Sequence, residues 1–361
     1  MELIPGLPDD LGRECLVRLP YNDFPKFFEV CKTWKTEIES DQFHQQRKST
    51  GLTRALIILT QAADQNHNSS LSTAKKNPPP PAYNLTVYEP EAGSWDRLPA
   101  IPGYPNGVPL FCQCAGIGRY LVVIGGWNPT TWISSSSVNI YDFVTGTWRS
   151  GSDMPGPSRS FFGCASDSNR TVYIAGGHDD EKNALRSALK YDVIDDKWVP
   201  LPDMANQRDE CKGIFHDRKF QVIGGYCTES QGKFERHAEV FDVDTWKWCH
   251  VESDLLTTGM CPRNCVVDDK GRLFRCYGGS VAVLDDSTWR DVTKLPDDVR
   301  VGPFLLMWRE KIFVVGSDKF GGRHSTCGFE VTGDNSNTRW TKVETPFGFT
   351  GNVQARCSLE I

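Results

Sequence analysis

From residue 52 onward, short apolar runs alternate with polar loops, and the arrangement repeats. Its clearest copy spans residues 171–204. An apolar run there ends in Gly176 and Gly177, and a second apolar run carries Tyr191, seven residues before Trp198. Short apolar runs bounded by polar, turn-forming residues predict β-strands joined by loops. The copy is therefore expected to form a strand–loop–strand unit.

The marks of this unit recur with a period of about 50 residues, which is typical of kelch blades. An aromatic residue precedes a tryptophan by seven residues in the pairs Tyr88 and Trp95, Tyr141 and Trp148, Tyr191 and Trp198, and Phe241 and Trp248. Double glycines end apolar runs at Gly125-Gly126, Gly176-Gly177, Gly224-Gly225 and Gly278-Gly279. The copy at Gly278 is shortened, and a later copy has Gly316-Ser317 instead. Residues 49–361 thus resemble a kelch β-propeller, a ring of four-stranded blades in which aromatic pairs pack between neighbours.

The ends of this region predict how the ring closes. Residues 52–99 supply two apolar strands and a Tyr–Trp ending but no opening strand, whereas residues 351–361 resemble an opening strand with nothing after it. Pairing the two pieces makes one composite blade and leaves no free sheet edge. Six blades are expected, or seven if residues 55–99 contain an extra short blade. Residues 61–82, rich in Pro, Ser and Asn, predict a disordered loop within the composite blade.

The first 48 residues follow a helical period instead. Leu7, Leu11, Leu16 and Leu19 recur at the spacing of an amphipathic helix. A second apolar face follows around Trp34, and Ser40 suits the cap of a last short helix. One interpretation is a small structural cap on the following domain; the other is a module that completes its burial against a partner.

Residues 1–48 also resemble the F-box. The match rests on the clusters LPDDL, CLVRLP and VCKTW, in that order, followed by Phe43. The resemblance implies docking onto a Skp-type adaptor and, through it, a cullin. The contacts that it implies are Leu7, Pro8, Leu11, Leu16, Leu19, Pro20, Val30, Cys31, Trp34 and Phe43. Some of these must fill the module's own core, and the sequence does not sort them.

Composition and charge narrow the classes of function that we expect. A net charge of -6 and a pI near 5.7 provide no basic stripe for nucleic acid. The N-terminus lacks the pattern of a signal peptide, and no apolar run is long enough to span a membrane. Thirteen scattered cysteines predict reduced thiols in the cytoplasm or nucleus. None has zinc-ligand spacing, so neither metal nor cofactor is expected.

No set of residues predicts catalysis, because the seven histidines are dispersed and no phosphate-binding glycine loop precedes a helix. Loops on one face of a propeller predict protein binding instead. Candidate residues after the double glycines are Trp127, Trp132, His178 and Tyr226. A second set lies 15–17 residues before the strand-end glycines: Arg159, Arg208, Arg263 and Arg300. Converging at the channel mouth, these arginines would bind an acidic or phosphorylated segment; the alternative is local pairing, for instance of Arg208 with Asp209.

The order of an F-box followed by one kelch ring resembles plant F-box/kelch proteins. This implies a non-catalytic receptor that brings a protein substrate to a cullin-based ubiquitin ligase of the SCF type. Stretches such as LPDMANQRDECKGIFH are similar to a subgroup that directs phenylalanine ammonia-lyase or type-B response regulators of cytokinin signalling to degradation. The rival interpretation is a kelch scaffold with no ligase role.

Overall fold

The computed structural model describes residues 2–63, 82–252, 255–331 and 338–361. Within these ranges, the N-terminal module contains four α-helices. Their bounds are α1 Asp9–Val17, α2 Phe24–Phe28, α3 Lys32–Glu39 and α4 Asp41–Ser49. Short 3₁₀ helices lie at Tyr21–Asp23, Thr228–Ser230, Pro262–Asn264 and Asp297–Val299. The side chain of Ser40 accepts a hydrogen bond from the Phe43 amide, so it caps α4 as the sequence predicted.

In the described part of the chain, strands β1 to β24 form six four-stranded antiparallel sheets. The first three complete blades contain β4 Gln113–Ile117, β5 Tyr120–Ile124, β6 Val138–Asp142 and β7 Thr147–Gly151; β8 Gly163–Ser166, β9 Thr171–Ala175, β10 Ala188–Asp192 and β11 Lys197–Leu201; and β12 Lys212–His216, β13 Lys219–Ile223, β14 Ala238–Asp242 and β15 Lys247–Glu252. The next two contain β16 Cys265–Val267, β17 Leu273–Tyr277, β18 Ser280–Asp285 and β19 Thr288–Lys294; and β20 Val301–Trp308, β21 Lys311–Ser317, β22 His324–Glu330 and β23 Thr341–Val343.

The sixth sheet joins the two ends of the propeller, as predicted. Its strand order is β24 Val353–Glu360, β1 Ala55–Ala62, β2 Tyr83–Glu89 and β3 Ser94–Arg97. The backbone of Arg54 exchanges both hydrogen bonds with Ile361, at 2.6 and 2.9 Å. The prediction of six blades is therefore confirmed, and that of a composite closing blade with it.

Close backbone approach brings the innermost strands together. A Cβ atom on Gly116 of β4 would lie 2.2 Å from the carbonyl oxygen of Ser358 in β24, and one on Gly213 of β12 would lie 2.7 Å from the Cys164 amide in β8. Any side chain at these glycines would separate the strands. The second glycines of three double-glycine pairs have φ between 82° and 89°, which favours glycine.

The repeated tryptophans tie each blade to the one before it. Each indole N–H donates to a backbone carbonyl outside its own sheet, at 2.7–3.0 Å: Trp95 to Glu344, Trp148 to Pro99, Trp198 to Ser152, Trp248 to Pro202, Trp289 to Leu255 and Trp340 to Lys294. These tryptophans therefore belong to the framework of the ring.

The helical module packs directly on the propeller. Arg47 of α4 is 1% exposed and donates to the carbonyl of Leu19 at 2.8 Å and to that of Leu52 at 3.0 Å. Arg119, in the turn after β4, donates to the carbonyl of Glu39 at 3.0 Å. The Tyr21 ring meets that of Phe143 edge-on at 6.2 Å. One apolar core runs through the module, the composite closing blade and the β4–β7 blade.

These contacts define two faces of the propeller. The module contacts the turn that joins the first strand of a blade to the second and the turn that joins the third to the fourth. We call this side of the propeller the lower face. Because successive strands are antiparallel, the loops after the double glycines and the connections between blades lie on the opposite, upper face.

The sequence placed a loop at residues 61–82. Gln61 and Ala62 instead end β1 and are buried, which corrects the start of that prediction. Residues 64–81 lie outside the described ranges.

Candidate binding sites

The predicted adaptor-binding residues divide by exposure. Leu16 and Phe43 are 2% and 0% exposed and form part of the core, which leaves them unavailable to a partner. Leu11 and Val30, by contrast, are 49% and 58% exposed. Pro8 and Pro20 are also exposed, and Leu7, Leu19, Cys31 and Trp34 are half-buried.

Two of the half-buried residues have structural roles. Cys31 caps α3 by accepting a hydrogen bond from the Trp34 amide at 3.4 Å. The Trp34 indole donates to the carbonyl of Leu3 at 2.6 Å, and its ring stacks on Phe27 with centroids 5.7 Å apart. These contacts fix the N-terminal segment against α3.

Trp127, His178 and Tyr226 occupy equivalent positions after the double glycines. Each forms an isolated β-bridge with the segment that precedes the innermost strand of its blade. The Trp127 indole donates to the Ser160 hydroxyl, His178 Nδ1 lies 2.8 Å from Asp209 Oδ2, and the Tyr226 hydroxyl donates to Glu210 at 3.0 Å. His178 and Tyr226 are only 8% and 4% exposed. They therefore stabilise the upper-face loops and offer little surface to a binding partner.

Trp132 does present a surface. It is 52% exposed, with Ile133 beside it at 66%. Its ring meets that of Trp127 edge-on at 6.2 Å. The backbone of Trp132 has φ 58°, stabilised in part by its amide's bond to the Asn128 carbonyl at 2.9 Å. The loop therefore holds an aromatic side chain on the upper face.

Arg159 and Arg208 do not point into a shared channel mouth. Each is at most 2% exposed and clasps its own blade. Arg159 donates to the carbonyls of Gly176 and Ser187, at 3.2 and 3.1 Å. Arg208 donates in the same way to Gly224 and His237, at 2.6 and 3.1 Å.

Arg208 also pairs with Glu239, at 3.1 Å, and both side chains are buried. Burial lowers the pKa of Arg159 to about 10. The prediction of four converging guanidinium groups is thus corrected, because two of them satisfy carbonyls inside their blades.

The other two predicted arginines are exposed but differ in their surroundings. Arg300 forms an ion pair with Asp297, three residues earlier. Arg263 lies in the short helix before β16 and lines a 60 Å³ cavity at the upper mouth of the channel. Only Arg263 of the four therefore borders the mouth cavity among the residues that the structure describes.

A partial collar of two phenylalanines and a glutamate lines this mouth cavity. Phe111, Phe161 and Glu210 each lie two residues before the innermost strand of a blade and share an unusual positive φ of 51–59°. That backbone turns their side chains toward the cavity that they line. The rings of Phe111 and Phe161 are 4.7 Å apart. A left-handed backbone at these non-glycine residues leaves no mark in the hydrophobic pattern, so the sequence did not predict this collar.

Lys212 and Arg356 line the channel beneath the collar. Both border the mouth cavity and a second cavity of 270 Å³ further down. Arg356 Nη2 donates to the carbonyl of Cys265 at 3.3 Å, and its guanidinium lies 5.3 Å from the Phe304 ring centroid. Burial and then the charge of Arg356 lower the pKa of Lys212 to about 7.

No group of three or more metal-ligating side chains occurs in the described ranges. All thirteen cysteines are free thiols there. Nor does any helix of the described residues have the length and apolarity to cross a membrane.

The fold and these surfaces define a two-part binding protein: a helical module with exposed apolar residues, fixed to a six-bladed propeller. Comparison with known proteins is consistent with this description. The F-box domain model matches residues 4–46, and the Kelch motif model matches residues 110–155 and 158–205.

Full-length relatives identify the family. The chain is 44% identical to the F-box/kelch-repeat protein At1g15670 and 45% identical to the F-box/kelch-repeat protein At1g80440, both of Arabidopsis thaliana, over 100% of each chain. It is 33% identical to the Arabidopsis F-box/kelch-repeat protein SKIP20, over 96% of this chain and 94% of the relative. The chain belongs to the F-box/kelch-repeat proteins.

Proposed function

We propose that the chain is the substrate-recognition subunit of an SCF-type ubiquitin ligase. The helical module docks onto a Skp-type adaptor and thereby onto a cullin, while the propeller binds a target protein. The chain itself acts as an adaptor, and other subunits transfer ubiquitin. We propose that the chain acts in the cytoplasm, in the nucleus or in both.

The exposure of Leu11 and Val30 carries this proposal. Neither side chain is needed to fill the module's core, which Leu16, Phe24 and Ile38 already fill. Both are among the residues that the F-box resemblance assigns to the adaptor contact, and their exposure leaves them available for it. The module is also tied to the propeller by Arg47 and Arg119, so a bound adaptor would hold the upper face at a fixed position.

Co-purification with a Skp-type adaptor tests the docking. We expect Leu11→Asp combined with Val30→Asp to abolish the complex, because two carboxylates would be buried without partners. The control is Ile194→Asp, which changes a residue that is 52% exposed on the lower face of the propeller. Retention of the adaptor by the double variant would favour a kelch scaffold outside a ligase.

The target surface in this proposal is the upper face, away from the helical module. Its loops expose Trp132 and Ile133, and Trp is among the residues that most often dominate binding energy at interfaces. Further exposed apolar residues of this face are Tyr277, Phe320 and Phe347. A target bound there would leave the adaptor surface free.

The targets that we propose are phenylalanine ammonia-lyase or a type-B response regulator. Each purified candidate would be captured on the full chain bound to its adaptor. Trp132→Asp with Ile133→Asp should lose the target and keep the adaptor, whereas Leu11→Asp with Val30→Asp should do the reverse. If neither candidate is captured by the unchanged receptor, both target assignments fail.

A further inference from the structure

The channel contains two cations without a counter-charge. Neither Lys212 nor Arg356 forms an ion pair with any residue in the described ranges. The Arg356 guanidinium donates to a neutral acceptor, the Cys265 carbonyl, and its Nε is buried without a hydrogen-bond partner. Arg263 adds a third positive charge at the mouth. Both side chains are half-buried. Withdrawing a cation from water without a counter-charge is costly, so such a pair in a native structure calls for an explanation.

Neighbouring carboxylates offset these charges only in part, since among the described residues one carboxylate, that of Glu210, lines the mouth cavity against three basic groups. Glu210, at the collar, accepts a hydrogen bond from Tyr226 at 3.0 Å. Asp268, lower in the channel, pairs with Arg272 at 2.7 Å. Asp269 borders the lower cavity and is exposed. The upper part of the channel therefore has an excess of positive charge.

The space and the donors suit an anionic group. The mouth cavity, at 60 Å³, exceeds the roughly 10–15 Å³ that one water needs by the same measure. Arg356 borders the mouth cavity, and guanidinium groups bind carboxylate and phosphate with matching geometry. Lys212 supplies a compact charge beside it. Phe111 and Phe161 line the entrance above these two groups.

We propose that the channel binds a phosphate or carboxylate group, held by Lys212 and Arg356 and entered from the upper mouth past Arg263. The group could belong to a small free anion or to a side chain of the bound target, and the chemistry at the site is the same. The site is separate from the adaptor surface, so it can fail without affecting adaptor docking.

Titration calorimetry of the full chain with inorganic phosphate tests the site. We expect saturable binding that weakens at least tenfold in Lys212→Met and in Arg356→Met, since each change removes a charged hydrogen-bond donor to the anion. Arg186→Met, which removes an exposed arginine paired with Asp203, should bind as the unchanged chain does. Lys212→Arg should restore binding, which separates loss of charge from loss of fold.

Two capped tripeptides identify the source of the anion. If peptides with central phosphoserine or glutamate bind and depend on Lys212, the mouth admits a target side chain; if only free phosphate binds, the ligand is a small molecule. Both results support an anion site. Absence of saturable phosphate binding, or equal binding in Lys212→Met and Arg356→Met, would overturn it. Adaptor co-purification by the same variants shows separately whether the ligase role holds.

Discussion

Arg208 stabilises its blade through a buried ion pair and two carbonyls. Replacing it with Met would leave Glu239 charged and buried, and removing one partner of such a pair costs about 3–5 kcal/mol. We expect Arg208→Met to lower the free energy of unfolding by about 3 kcal/mol, measured by denaturant unfolding with tryptophan fluorescence.

Arg300 provides the matched control, since its ion pair with Asp297 is exposed. Exposed pairs contribute roughly 0–1 kcal/mol, so Arg300→Met should shift the unfolding midpoint little. Equal losses of unfolding free energy in the two variants would contradict a stabilising role for the buried contacts of Arg208.

Lys212 should make anion binding depend on pH. With a pKa of about 7, the amine is mostly charged at pH 6 and mostly neutral at pH 8. Sulfate stays a dianion over this range, so its affinity should fall by about tenfold between the two values. Lys212→Arg, which stays charged, should bind sulfate equally at both.

The ionisable groups around Lys212 do not reverse the predicted fall in sulfate affinity with rising pH. Burial lowers the pKa of Arg356 to about 10 and raises the pKa of Cys164 and of Cys265 to about 12, so none of these changes charge between pH 6 and pH 8. Other charged or titratable neighbours are Arg263 and Glu210 at the mouth and His216, Asp268 and Asp269 at the lower cavity. His216→Gln is therefore the control that removes the imidazole from the lower cavity. An unchanged pH profile in Lys212→Arg would assign the effect elsewhere.

At the scale of elements, α4 joins the module to the propeller through a histidine that must stay neutral. His44 lies between Phe43 and Arg119, 3.5 Å from the Arg119 guanidinium. Burial, then Arg119 and Arg47, lower the pKa of His44 from 6.5 to about 4, although Asp41 opposes the shift.

His44 predicts acid sensitivity of this junction. Between pH 6.5 and pH 4 the unfolded chain binds a proton that the folded chain does not, so stability is present above pH 6.5 and falls as the pH decreases. Relative to His44→Gln, the unchanged chain should lose about 1–2 kcal/mol of unfolding free energy between pH 7 and pH 5. Unfolding curves at both pH values check this; a constant difference between the two proteins would contradict it.

Elements whose residue pattern repeats could be predicted from the sequence. Surfaces that form where separate elements meet could not. Trp198 and Gly177 mark a blade wherever it lies, because each blade needs the same local geometry. The spacing of Arg159 and Arg208 from their glycines is equally regular. It arises because each guanidinium donates hydrogen bonds to carbonyls inside its own blade, and not because the two side chains share a binding site. Lys212 and Arg356 come from distant strands, so only closure of the ring brings them together. Likewise, helical spacing groups Leu11 with Leu16 but does not say which of them a partner covers.

At the scale of the whole molecule, β24 closes the ring. It pairs with β1 along its length and lies against β4, where Gly116 allows contact with Ser358. Removing residues 352–361 would expose the inner edge of β1 and take away Arg356. An unpaired strand edge is a template for association between chains. We expect this truncated chain to lose its cooperative unfolding transition and to aggregate.

Adding the missing strand as a peptide tests whether closure itself is responsible. A peptide of residues 350–361 should restore a cooperative transition, because it replaces every hydrogen bond between β24 and β1. A peptide in which Ala355 and Leu359, 5% and 6% exposed in the intact chain, are both Asp should not, since it would bury two carboxylates. Circular dichroism during heating measures each mixture. If the truncated chain alone unfolds with the midpoint of the intact chain, the other five blades hold the ring without its closing strand, and the composite blade is dispensable for stability.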